Sequence, residues 1–297
     1  MNKKAFFASL GLIFTTMIWG FAFVVVKNSL EVLPPIYMIA FRFTISVPLL
    51  CIIFWRKLSR ISKKSLIHGG ILGIFLFLAY AFQTIGCEYT TAGKNAFLTT
   101  TYVMIVPFLT WIFSKIKPAK VSVAAAVIAL VGIGFLSLES DTQFSVNIGD
   151  FLTLICGLFY ALHMVFISKY TAKEDPILLT IIQLSITAIL GWIAAPIYDG
   201  TFDFKIVSQW NVLNSILYLG LFSTMLGFLL QNVCQKIVRP STTSLILSFE
   251  AVFGVLSSVI FLHEKITLRM FIGCILIFTA LLISETNFFK AKKEISD

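Results

Sequence analysis

Residues 6–26 read FFASLGLIFTTMIWGFAFVVV, a run without one charged side chain. An α-helix rises ~1.5 Å per residue, so about 20 residues cross the ~30 Å hydrocarbon core of a bilayer. Apolar residues are continuous along the run rather than alternating, which predicts a spanning helix and not a barrel strand. Asn2-Lys3-Lys4 precede it, as basic residues precede a secretory leader. The run is too long for a leader's apolar core, and no small-residue cleavage site follows. It reads as a first membrane span.

The same pattern recurs to the end of the chain. Spans are expected at 6–27, 35–55, 66–86, 92–113, 120–138, 149–170, 176–196, 213–235, 240–262 and 268–288, punctuated by Pro34-Pro35, Pro118, Pro176 and Pro240. Hydrophobic residues make up 58% of the 297 positions and charged ones 12%, against about a quarter charged in a soluble domain. The mean hydropathy is +0.95. The chain is therefore predicted to be an all-α integral membrane protein of ten transmembrane helices. Its five cysteines are scattered one per segment, in no metal-binding or disulfide spacing, and read as small apolar packing residues.

Lysine and arginine gather on the cytoplasmic side of membrane proteins. With the N-terminus inside, the inner loops and ends hold 17 of the 23 basic residues, the outer side holds Lys27, Lys94, Lys205, Lys265 and Arg269, and Arg42 lies within a span. Both termini are thus expected in the cytoplasm, and the location is a cell (cytoplasmic) membrane. This asymmetry accounts for the net charge of +9; no separate basic patch suggests nucleic acid. The expected partners are the lipid bilayer and a small-molecule substrate, with a homodimer left open.

The second half resembles the first. Shifted by 148, residues 83–134 pair without a gap with 231–282, setting Gln83 on Gln231, Tyr102 on Glu250 and Ala125 on Gly273. Earlier segments pair at smaller shifts, Trp19-Gly20 with Cys156-Gly157 at 137 and Arg42 with Gln183 at 141. Five helices are an odd number, so the second copy enters the membrane from the opposite face. Such inverted repeats are the architecture of secondary transporters, with the substrate site near the midplane. The expected organisation is a first five-helix repeat at 1–138, an outer loop at 139–145, a second repeat at 146–288 and a cytoplasmic tail at 289–297, with a cavity between the repeats.

Particular residues carry a family likeness. Trp19-Gly20-Phe21-Ala22-Phe23, Phe41-Arg42-Phe43, and the stretch Tyr89-Thr90-Thr91-Ala92-Gly93-Lys94-Asn95-Ala96-Phe97-Leu98-Thr99 running on to Tyr102-Val103 and Pro107 resemble the EamA family of the drug/metabolite transporter superfamily. Arg239-Pro240-Ser241-Thr242, Phe249-Glu250-Ala251-Val252 and His263-Glu264-Lys265 resemble that family's C-terminal repeat. The likeness covers about residues 8–286. It implies two inverted five-helix repeats around a central cavity and the movement of small metabolites, with efflux of amino acids or related compounds foremost. The acidic residue common after the ninth span is present as Glu264, whereas the corresponding first-half region reads Lys115-Ile116-Lys117-Pro118.

Polar groups inside hydrocarbon face the protein interior or water. The fourth span sets Asn95, Thr99 and Tyr102 on one face; their mates in the ninth are Thr243, Leu247 and Glu250. Glu250 is a carboxylate near mid-membrane, read either as a proton- or cation-binding group or as a structural glutamate bonded to a neighbouring helix. Trp19 and Tyr160 either stack on a planar ligand or pack as ordinary aromatics. His163 either carries a proton or is a neutral ring bonded to the backbone. Arg42 either binds a substrate carboxylate or snorkels outward. Gln83 and Gln231 are expected toward opposite membrane faces, as gates or as ordinary interhelical hydrogen-bonding residues.

No catalytic constellation stands out: there is no HExxH pair, no paired aspartates and no Ser-His-Asp set in register, and no cofactor or metal site is expected. An integral membrane enzyme therefore ranks below a carrier. A multidrug efflux carrier and a passive channel are the remaining alternatives.

Overall fold

A computed structural model of the chain describes residues 3–115, 117, 120–137, 147–238, 240–269, 271–276, 278–280 and 283. The expected outer loop 139–145 and tail 289–297 lie outside these residues. The described elements are α1 (Lys3–Ser29), α2 (Pro35–Ile53), a short α3 (Trp55–Leu58), α4 (Lys63–Tyr89), α5 (Ala92–Thr99), α6 (Tyr102–Ser114), α7 (Lys120–Ser137), α8 (Ile148–Thr171), α9 (Pro176–Tyr198), α10 (Trp210–Leu217), α11 (Gly227–Gln235) and α12 (Pro240–Phe261). A π-helical segment, Tyr218–Leu226, joins α10 to α11. Eight helices, counting α5–α6 as one and α10 to α11 as one, are long and apolar enough to cross a membrane. The expected fifth span is α7, and the tenth is described as the apolar stretch Phe271–Ala280. The chain is an all-helical, multi-pass membrane protein.

Local chemistry sets the helix ends. Pro35 and Pro176 occupy the first helical position, where a missing N–H costs nothing. Ser62, Thr91, Asn147 and Asp175 cap the starts of α4, α5, α8 and α9 with side-chain oxygens. The fourth span, expected to be continuous, is broken. The amides of Thr100 and Thr101 bond three residues back to Phe97 and Leu98 (both 3.2 Å). Both threonine hydroxyls claim the same two carbonyls at 2.7 Å. Those carbonyls are thereby withdrawn from the next helical turn. Downstream, Pro107 denies the Val103 carbonyl its usual donor. The eighth span is broken differently, by the widened π turn.

Helices do not pack by sequence half. α1 lies along α12 and α11, whereas α8 lies along α4, α5 and α6. The first helix of each expected repeat has thus crossed to the other repeat. Two bodies result: α1 with α10–α11 and α12, and α4 with α6 and α8, with α5 in the seam packed on both α12 and α8. Between them α2 and α9 pack on each other, α2 also against the π segment, and α9 packs as extensively on α4 as on α2. Within the second body, α4 and α8 cross at Gly86 and Gly149; a Cβ on Gly149 would lie 2.5 Å from the Gly86 carbonyl oxygen. Small residues allow such backbone approach in lipid, where packing rather than water drives association.

The α2–α9 pair is tied at both ends. Asp199, just beyond α9, accepts from the Ile36 and Tyr37 amides at the start of α2 (2.9 Å each). At the other end Lys57, just beyond α2, pairs with Asp175 at the start of α9 (2.5 Å). Partial burial pushes the Asp199 carboxyl above the ordinary carboxylate value, against its two amide bonds. Burial acts the same way on Asp175, but the Lys57 hydrogen bond and the Ile177 amide outweigh it and take that carboxyl below the ordinary value.

Candidate functional site

The seam between the two bodies encloses a cavity whose empty space, mouth included, is about 510 Å³, within the ~300–1,000 Å³ range of small-molecule sites. Of the eleven residues expected at a site or gate, Trp19, Arg42, Gln83, Asn95, Tyr102, Tyr160, Gln231 and Glu250 line it. Thr99, His163 and Thr243 do not. Thr99 stands behind the wall, accepting from Gln83 Nε2 at 3.1 Å. His163 meets Gln183 (Nε2 to Oε1, 2.9 Å), away from the cavity. The Thr243 hydroxyl is buried without a hydrogen-bond partner among the described residues.

One pole of the cavity is cationic. Arg42 is 2% exposed. Its Nε donates to Thr224 Oγ1 (2.8 Å) and its Nη2 to Ser223 Oγ (2.9 Å), and its guanidinium stands 4.6 Å from the centroid of the Tyr80 ring. Both hydroxyls belong to the π segment, whose carbonyls are held by neighbouring helices: Ser46 Oγ donates to Gly220 O (2.7 Å) and Trp19 Nε1 to Ser223 O (2.8 Å). The π turn therefore serves as the mount of the arginine. Among the described residues no carboxylate comes within ion-pair distance of Arg42, and Nη1 makes no hydrogen bond there. A buried unpaired charge is costly; here a cation–π contact and two hydroxyls offset part of that cost.

The other pole is a carboxyl. Glu250, 4% exposed, accepts from the Tyr102 hydroxyl at 3.0 Å. Tyr102 heads α6 immediately after the break in the fourth span, which is what turns its ring toward α12. These two residues are mates in the sequence repeat, and a residue that touches its own mate lies near the axis relating the copies.

Amide side chains line the wall, and their orientations follow from their partners. Thr153 already donates to Gly149 O, so Asn95 Nδ2 donates to Thr153 Oγ1 (2.8 Å) and to the Gln83 carbonyl (3.1 Å). Asn95 Oδ1 is left buried without a partner among the described residues. Gln235 Nε2 donates to Met164 O (2.6 Å), so its oxygen faces Gln231 Nε2 (3.5 Å), and Gln231 Oε1 is likewise unpartnered. Gln83 has a partner on each side-chain atom: its Nε2 donates to Thr99 and its Oε1 accepts from Tyr160 OH at 3.1 Å. Both glutamines, expected toward opposite faces as gates or as ordinary interhelical hydrogen-bonding residues, sit in the wall of this one cavity.

The remaining wall is aromatic and apolar. Trp19 and Phe228 meet at 5.2 Å between ring centroids, and Tyr80 packs against Tyr160 (5.8 Å). Gly227 seats the indole: a Cβ there would lie 2.4 Å from Trp19 Nε1. Sequence reading missed Tyr80, Ser223 and Phe228. Tyr80 and Ser223 are polar residues within apolar runs and carry the signal that singled out Arg42; Phe228 is one of 30 phenylalanines and carries none.

A bundle of apolar helices around a charged, amide-lined cavity has the form of a multi-pass membrane transporter. The model of the EamA-like transporter family matches residues 6–138 and again 147–286, and the chain belongs to that family. An Archaeoglobus fulgidus protein named as an uncharacterized transporter is 35% identical over 280 residues, 94% of this chain and 86% of that one. An Escherichia coli K12 protein named as a probable amino-acid metabolite efflux pump is 25% identical over 281 residues, 90% of this chain and 91% of that one. A crystal structure matches the fold with a TM-score of 0.69 at 16% identity, covering 93% of this chain and 95% of the other.

Proposed function

We propose that this protein is a secondary carrier that exports small dipolar organic metabolites, amino acids foremost, by alternating access across the cytoplasmic membrane. The observation that carries the reading is one cavity bearing both a buried arginine without a carboxylate partner and a buried carboxyl. The Nε–Nη2 edge of Arg42 is occupied by hydroxyls, so a substrate carboxylate takes the Nη1 end. The unpartnered amide oxygen of Asn95 and the Glu250 carboxyl suit an ammonium group. The aromatic wall suits an apolar side chain. The name of the Escherichia coli relative agrees with this substrate class.

In this reading the chain spans the membrane ten times as two inverted five-helix repeats, 1–138 and 146–288. The repeated family match and the contact between the mates Tyr102 and Glu250 support it. The lysine-rich end and both termini face the cytoplasm, by the basic-residue count. The moving bodies are the two helix groups defined by packing rather than the two halves of the sequence. Glu250 is the group that exchanges a proton with the transport cycle.

The test is flux of radiolabelled amino acids in proteoliposomes, with and without a pH gradient. Transport is expected, with Arg42→Lys at least tenfold weaker in KM because an ammonium lacks the planar fork, and Glu250→Gln no longer responding to the gradient. Absence of flux for every zwitterion tried would sink the substrate class. Gradient-driven flux unchanged by Glu250→Gln would sink the coupling role.

A further inference from the structure

We propose that Lys27 and Gln235 are the two gate latches of this carrier, bridging corresponding pairs of positions at opposite ends of the seam, and that their unequal strength sets which gate opens in the empty protein. The proposal rests on the carrier reading above. The described polar bonds that cross between the two bodies fall at three levels. Tyr102–Glu250 is the middle one. At the lysine-poor end, Lys27 Nζ of α1 donates to the carbonyls of Cys87 (2.8 Å), Glu88 (3.2 Å) and Thr90 (2.7 Å). At the lysine-rich end, Gln235 Nε2 of α11 donates to the Met164 carbonyl of α8 (2.6 Å).

The sequence repeat makes the two outlying bonds one bond. Cys87 is the mate of Gln235 in the ungapped register, and Lys27 is the mate of Met164 at the shift of the first span. Each end therefore joins the same pair of positions. In both, the donor side chain stands on the α1–α11–α12 body and the acceptor backbone on the α4–α6–α8 body. What differs is which member of the pair carries the donor, and the donor's chemistry.

That difference is large. The last carbonyls of a helix lack intrahelical partners and form the negative end of its dipole. Lys27 places an ammonium there, so its bonds are charge-assisted, roughly twice as strong as neutral ones. Glu264, beyond α12, completes the clamp by accepting from the Ala92 (2.8 Å) and Gly93 (3.0 Å) amides. The corner between α4 and α5 is thus gripped by a cation on its carbonyls and an anion on its amides. Gln235 is a neutral amide on one carbonyl. Here both latches are made, so the seam is bridged at both ends. Of the bonds that hold α1, α11 and α12 to the opposing helices, opening the lysine-rich end breaks two neutral ones, Gln235 to the Met164 carbonyl and Asn232 Nδ2 to Thr180 Oγ1 of α9 (2.7 Å), and opening the other end breaks the clamp, so the empty carrier favours opening at the lysine-rich end. That is the loading side for export.

The latches are tested in proteoliposomes with Ala22→Cys as a cavity reporter, labelled by a membrane-impermeant maleimide applied to one face at a time and corrected for the parent's native cysteines. Lys27→Met is expected to raise labelling from the lysine-poor face at least tenfold, and Lys27→Arg to leave it near the parent level. Gln235→Met is expected to raise labelling from the lysine-rich face. The double variant should return the ratio of the two faces toward the parent's, which a variant that merely unfolds cannot do. Unchanged labelling in Lys27→Met, or equal gains at both faces from either single variant, would overturn the proposal. Labelling that shifts as expected in a protein with no flux would keep the latches and remove the carrier reading; flux with unmoved labelling would do the reverse.

Discussion

Replacing Gly149 and Gly70 separately by alanine tests the packing of the second body. At Gly149 the added methyl would meet the Gly86 carbonyl oxygen at 2.5 Å, the Tyr89 carbonyl carbon at 2.8 Å and the Thr90 nitrogen at 2.9 Å. All three are backbone atoms, which no rotamer change can move aside. Ordinary contact begins at 3.4 Å, so α8 must withdraw from α4 by about 0.9 Å. A radial gap of ~0.5–1 Å forfeits a quarter to a half of the local dispersion attraction, and overpacking of this kind costs about 1–3 kcal/mol. At Gly70, on the same α4, nothing lies within 4 Å of the added methyl. There the change recovers up to about 1 kcal/mol of helix propensity. The two variants are thus expected to differ by about 1–4 kcal/mol in unfolding free energy, Gly149→Ala below the parent and Gly70→Ala at or above it. Unfolding by sodium dodecyl sulfate in mixed micelles, followed by helical circular dichroism, measures this. A Gly149→Ala protein as stable as the parent would refute the close crossing of α4 and α8.

The two capping aspartates should respond to pH with opposite signs. The Asp175 carboxyl lies below its ordinary value when folded, so its contribution is present above that ordinary value and is lost as pH falls through the folded one; Asp175→Asn should flatten the acid limb of a thermal melt series. The Asp199 carboxyl lies above its ordinary value, so stability is fullest below the ordinary value and falls as pH rises through the folded one. Asp199→Asn should melt no lower than the parent at pH 7, whereas Asp199→Ala should melt lower, having lost the acceptor of two amides. Tyr102→Phe removes the donor to Glu250 and should cost roughly 1–3 kcal/mol in the same unfolding assay, while slowing flux; an unchanged rate would dissociate this bond from transport. Gly227→Ala should unseat Trp19 and raise KM several-fold with little change in protein yield, measured by flux titration.

Much of the fold is legible in the sequence because hydrocarbon imposes a simple demand. Every spanning backbone must satisfy its own hydrogen bonds, so each span is a long apolar helix and polar residues punctuate the breaks. The break in the fourth span also has a local cause, Thr100-Thr101 followed by Pro107, and could have been read. The π turn at Tyr218–Leu226 could not. Gly220, Ser223 and Thr224 make it a weaker helix former than its neighbours, but composition does not specify a π turn, and the widened register depends on partners far away in the chain, Trp19, Arg42 and Ser46.

The polar candidates Arg42, Asn95, Tyr102 and Glu250 were findable because a polar group in an apolar run needs a reason, and all four reach the cavity wall. What the sequence hides is which helices pack together. The repeat is written along the chain in two consecutive copies, so it invites a division between the copies. Packing exchanges the first helix of each copy, α1 and α8, and only then do Lys27 and Gln235 face a seam rather than the interior of a half. In the latch proposal that exchange also relocates the gates. Gln83 and Gln231 are identical residues at mated positions, the pattern a symmetric pair of gates would show. Two gates of equal strength, however, would leave an empty carrier without a preferred side. A biased carrier needs its mated latch positions to hold different chemistry. Lys27 with the Cys87 carbonyl and Gln235 with the Met164 carbonyl meet that condition, and a search for identical mates passes over both.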